Sequence, residues 1–168
     1  PNIVSNEEIN EWIYAQGLPS YVPKPTSNAF TKIDGLISQL GADKISLKEL
    51  PTSSWTLHEW LYFINNLPLD TKHDRMVNLD KVFNLTISKN AEIAHAWYLL
   101  SIRAGYNEVY PELAKYLKSI GRRKLIVPLY KELAKDPKSR VWAMEVYQQA
   151  RPGYHGLAQG TIDGVFSD

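Results

Sequence analysis

Cysteine is absent from all 168 residues, which excludes disulfides, thiolate metal ligands and a cysteine nucleophile together. No apolar run approaches the ~18 residues that a membrane-spanning helix needs, so no membrane partner is expected. Neither sign of charge is in excess, since 19 basic and 18 acidic residues leave +1. A strongly electrostatic nucleic-acid binder would carry a larger basic surplus, so no nucleic-acid partner is expected either. A Gly-rich phosphate loop and a Gly-x-Ser-x-Gly nucleophile elbow are both missing. What is present, 44% hydrophobic and 22% charged residues, is the composition of one globular domain with enough chain to bury a core.

The four histidines form no complete metal pattern. His58-Glu59-Trp60-Leu61-Tyr62 begins like His-Glu-x-x-His, in which two His one helical turn apart bind zinc and the Glu acts as base. Tyr62 stands where the second His would, so the segment reads as a helix cap and first turn. Glu92 and His95 have the Glu-x-x-His spacing of carboxylate di-metal bundles, but no second copy accompanies them. His73 and His155 stand alone. No catalytic residue and no metal ligand is assigned within the chain.

Helix signals dominate. Ser5 and Glu8 form a capping box ahead of Ile9, Trp12 and Ile13, and Gly17 with Pro19 stops that helix. Ser20 to Pro25 reads as extended. A second helix is expected from about Ser27 to Leu40 with Gly41 at its end, and a third opens at the Thr56/Glu59 capping box. A fourth covers about 71–84. The second half reads as helix pairs: 90–104 ended by Gly105, a helix with Pro111 in its first turn, 122–135 containing Pro128, and one begun by Pro137 with Val141, Trp142, Met144, Val146 and Tyr147. Trp12, Trp60, Trp97 and Trp142 fall at helical positions and read as core anchors. Residues 151–168, with four glycines, are expected to form an irregular tail. The fold class is therefore all-α, and helices of this length joined by short loops suit a HEAT- or armadillo-like right-handed superhelix of antiparallel pairs. The expected division is 1–25 as linker and first helix, 26–150 as helical repeat and 151–168 as tail.

The charge is unevenly placed. Residues 1–100 carry 8 basic and 11 acidic side chains, net −3, and residues 101–168 carry 11 and 7, net +4. Its focus is Arg122-Arg123-Lys124, just after Gly121 and at a helix start. Cations there face the positive end of the helix macrodipole, an unfavourable placement of about 0.3–1 kcal/mol per charge. The run reads either as a solvated loop end or as a receptor for a carboxylate or phosphate.

Three segments carry a family resemblance: Ile9-Asn10-Glu11-Trp12-Ile13-Tyr14-Ala15-Gln16-Gly17-Leu18-Pro19, Asn90-Ala91-Glu92-Ile93-Ala94-His95-Ala96-Trp97-Tyr98, and Gly121-Arg122-Arg123-Lys124-Leu125-Ile126-Val127-Pro128-Leu129-Tyr130-Lys131-Glu132-Leu133. In the right order, the first resembles the join between catalytic and C-terminal domains, and the other two the C-terminal domain, of the leukotriene A4 hydrolase and aminopeptidase B family of zinc aminopeptidases. The resemblance implies a HEAT-like helical domain that packs on a preceding catalytic domain, its partner, and walls one side of the substrate cleft. The family's zinc motif would lie in that catalytic domain, so no cofactor is expected here. The resemblance also implies that Arg122 and Lys124 bind the free carboxylate of a short peptide substrate. Arg123 departs from the pattern, which has an uncharged residue between the two cations.

The expectation is the C-terminal piece of a longer hydrolase, in keeping with a start at Pro1 rather than Met. A cytoplasmic location is favoured, with export left open because the parent's N-terminus lies outside this sequence. The alternative is a free-standing α-helical-repeat module that binds a protein or peptide partner. An exposed apolar patch over the first helices would mark a neighbouring domain instead.

Overall fold

The computed structural model describes residues 4–19, 21–22 and 27–167. Among them are nine α-helices, four short 3-10 turns and no strand. The helices are α1 (Asn6–Tyr14), α2 (Ala29–Gly41), α3 (Leu57–Asn65), α4 (His73–Phe83), α5 (Ala91–Ala104), α6 (Tyr110–Ser119), α7 (Arg123–Leu133), α8 (Pro137–Ala150) and α9 (Gly156–Ser167). Both capping boxes form: the Ser5 hydroxyl accepts from Glu8 N, and the Thr56 hydroxyl from Glu59 N. Asp136 caps α8 through the amides of Lys138 and Ser139, with Pro137 in the first turn, where its missing N–H costs nothing. Gly105 ends α5 at φ 69°, a left-handed conformation that only glycine adopts freely. At the end of α2 the left-handed residue is Asp43, and Gly41 stays within the helix.

Packing follows an alternating order. α3 lies on α5, α5 on α7 and α7 on α9, while α6 lies on α8. Successive helices thus feed two layers, the arrangement of an armadillo-like helical domain. Trp97 of α5 is fully buried between them, and its indole N–H donates to Thr86 Oγ1 at 2.9 Å. Thr86 in turn donates to Asp80 through both its amide (2.8 Å) and its hydroxyl (2.6 Å). Tyr98 donates to the Thr86 carbonyl at 2.7 Å. This network fixes the loop that leads into α5.

Three expectations are corrected. The irregular tail over 151–168 is instead a 3-10 turn (Arg151–Gly153) followed by α9. Ala158 and Ile162 are buried at a four-residue spacing, and Phe166 continues the stripe with its ring 5.9 Å from that of Tyr130 and 5.8 Å from that of Tyr147. Asp163 clamps the helix, accepting from the Tyr147 hydroxyl and from Arg151 Nη2, each at 2.7 Å. Those bonds hold its carboxyl down at about 2. Burial of one stripe outweighs the poor helix propensity of glycine. Secondly, Trp12 is not a core anchor: it is 55% exposed, and no side chain of α1 is buried. Trp97 is buried, while Trp60 and Trp142 are half-buried. Thirdly, of the apolar residues read on α8, Val146 and Tyr147 turn inward with Ala143 and Ala150, whereas Val141 and Met144 are exposed. The extended segment expected over Ser20–Pro25 lies mostly outside the described residues.

Candidate functional site

Arg122 is the N-cap of α7, with an extended backbone, and Arg123 and Lys124 are its first two residues. Ile120 caps α6, so Gly121 alone spaces the two helices. The start of α7 lies beside the start of α5, where the Asn90 side chain accepts from the amides of Glu92 (3.0 Å) and Ile93 (3.3 Å). That cap fixes Glu92 in the first turn of α5, pointing at the cations.

Arg122 and Lys124 converge on this one carboxylate. Arg122 Nη1 donates to Glu92 Oε1 at 3.0 Å. Lys124 Nζ lies 3.3 Å from Oε1 and 3.2 Å from Oε2. Arg123 makes no ion pair among the described residues. The side chains of Arg122 and Lys124 are 63% and 66% exposed, that of Glu92 only 22%. The acid is therefore the fixed member and the cations are the accessible ones.

His95, one turn beyond Glu92, binds the Leu125 carbonyl through Nδ1 at 2.7 Å. Burial pushes its imidazole below the ordinary range, outweighing the upward pull of that bond and of Glu92, and Lys124 adds to the lowering. Pro128 sits inside α7 and has no N–H, so the carbonyl four residues earlier, that of Lys124, loses its helical partner. The Glu92/His95 pair is thus spent on α7, one residue on its cations and the other on its backbone.

Two cations aimed at one spot are suited to an anion of carboxylate size, and the Arg fork adds directionality. Among the described residues no group of three or more His, Cys, Asp or Glu is placed to hold a metal ion. His58 is exposed at the start of α3, and Glu59 is occupied in its capping box. A surface groove of about 510 Å³ lies elsewhere, with Leu40, Ile45, Lys72, Arg75 and Val82 among its walls. Across it Arg75 pairs with Asp43 at 2.7 Å. A second surface feature is apolar: Ile9, Trp12, Ile13 and Tyr14 of α1 are exposed, as are Leu18, Tyr21 and Phe30.

Sequence reasoning placed the two cations and missed their partner. Glu92 stands 30 residues before Arg122 in the chain, and only the packing of α5 on α7 brings them together.

The family model described as "Leukotriene A4 hydrolase, C-terminal" matches residues 55–166. This chain belongs to the leukotriene A4 hydrolase C-terminal family. The match takes in α3 to α9 and with them Glu92, Arg122 and Lys124. Leucine aminopeptidase 2 of Aspergillus oryzae is 28% identical across 96% of this chain, and that of Chaetomium globosum 29% across 86%. The chain spans only 27% and 24% of their lengths, about a quarter of the curated relatives it matches. In structure it is similar to native yeast LTA4 hydrolase, with a TM-score of 0.69 at 19% identity, covering 96% of this chain and 29% of that one. The bestatin complex of the yeast enzyme gives 0.67 at 18% identity, with 97% and 30% covered. These likenesses establish the shared fold.

Proposed function

We propose that this chain is the C-terminal helical domain of a zinc aminopeptidase, in which it packs on the catalytic domain and binds the terminal carboxylate of a short peptide. The observation that carries the reading is the convergence of Arg122 and Lys124 on one carboxylate at the start of α7. A peptide carboxylate offers the same group to the same donors. Held there, the peptide is aligned so that its N-terminal residue reaches the metal of the partner domain. Zinc supplies the activated water in such enzymes, and its ligands belong to the part of the enzyme outside this chain. The exposed apolar side of α1 supports the packing role, because a free surface seldom groups several large apolar side chains.

The test is Arg122→Ala in the full-length enzyme, assayed on a tripeptide and on its C-terminal amide. Catalytic efficiency on the free acid should fall roughly ten- to hundredfold, the worth of a charged hydrogen bond, and should barely move on the amide. Equal losses on both substrates would refute carboxylate anchoring.

A further inference from the structure

The receptor proposed above contains an acid of the same chemistry as its ligand. Glu92 touches both cations, comes from a different helix, and is the least exposed of the three. Its backbone is held from two sides: Asn90 caps its amide, and the Tyr116 hydroxyl of α6 donates to the neighbouring Ala91 carbonyl at 2.9 Å. Arg122 and Lys124, by contrast, are long chains that stand in solvent and repel each other. Arg123 between them adds a third positive charge at a helix end that is already positive. Without a counter-charge the three would fan apart.

We propose that Glu92 is the positioning residue of this receptor, gathering Arg122 and Lys124 onto one spot before the substrate arrives. This rests on the carboxylate-anchoring reading. Glu92 does not neutralise the site, since one carboxylate faces two cations and leaves one positive charge for the incoming anion. Nor does it exhaust the donors. Arg122 gives Glu92 only Nη1, so Nε and Nη2 remain for a peptide carboxylate. The substrate then docks on a cation pair whose rotamers are already fixed, and loses less freedom on binding. Glu92 acts through its partners and never needs to touch the peptide.

The experiment compares Glu92→Ala and Glu92→Gln with the unmodified full-length enzyme, measuring KM and kcat on a tripeptide and on its C-terminal amide. The alanine variant should raise KM for the free acid roughly three- to tenfold with kcat little changed, in line with the loss of two ion pairs. The glutamine variant keeps one acceptor oxygen and should fall between it and the parent. On the amide, neither should move KM beyond about twofold, a margin below one surface ion pair. In an Arg122→Ala background the Glu92 changes should add less than they do alone, since only the Lys124 pair remains to be lost. A lowered KM on the free acid would overturn the proposal, because Glu92 would then be a competitor of the substrate. Equal shifts on acid and amide would overturn it too, since they report a merely structural role. If Arg122→Ala separates acid from amide and Glu92→Ala does not, the Glu92 proposal fails and the anchoring reading stands. If Arg122→Ala fails to separate them, both fall.

Discussion

His95 donates from Nδ1 to the carbonyl oxygen of Leu125 across 2.7 Å, stitching α5 to α7 one turn from the Glu92 cluster. The bond needs the proton on Nδ1, and burial disfavours a second proton on Nε2. The folded protein therefore holds His95 neutral below the ordinary imidazole value of 6.5, at which the unfolded chain takes up its proton. With a depressed folded-state pKa, the contribution to stability is complete above 6.5 and is lost as pH falls from there towards the folded value. Denaturant unfolding should show stability declining from about pH 6.5 downwards, the range in which an unfolded histidine titrates. His95→Gln should flatten that slope, with the carboxylates titrating only at lower pH. An unchanged slope would mean that the imidazole is equally basic in both states.

The last helix shows where reading by composition stops. Gly156, Gly160 and Gly164 hide α9, because glycine is a poor helix former and four glycines in eighteen residues look like a loop. The stripe Ala158, Ile162 and Phe166 was there to be seen, but its value depends on Tyr130 and Tyr147, which no local pattern supplies. A consequence is measurable. Gly160 lies inside α9, exposed, and a Cβ there would meet nothing within 4 Å. Gly160→Ala should stabilise the chain by about 0.5–1 kcal/mol, the usual helix-interior difference. The check is the midpoint of chemical denaturation at unchanged slope. A destabilised variant would contradict the open surroundings of that position.

Caps were the most legible part of the fold. Ser5 with Glu8, Thr56 with Glu59, Pro111, Pro137 and Gly105 each act at a helix end through their nearest neighbours, so their chemistry is written in adjacent letters. The site was half legible for the same reason. Arg122 and Lys124 are neighbours in sequence at a helix start. Glu92 belongs to another helix, and its nearest sequence pattern, Glu-x-x-His, points to a different chemistry. The packing of α5 on α7 sets Glu92 against the two cations.

Trp12 and Ile13 test the packing role most directly. Both point outward from α1, and α1 buries no side chain within this chain. Replacing them with Ser should leave the stability of the isolated chain within about 0.5 kcal/mol, as exposed substitutions generally do. It should also weaken binding of a hydrophobic dye, because the patch offers large apolar side chains to solvent. In the full-length enzyme the same pair would be covered, and each large apolar side chain removed from water contributes about 1.5–3 kcal/mol. There the double variant should lower the melting temperature and increase proteolysis between the domains, while the isolated chain melts as before. Unequal behaviour of the isolated chain and the full-length enzyme is the signature of a domain seat. Equal, negligible effects in both would leave α1 uncovered in the full-length enzyme and remove the apolar patch from the argument for packing.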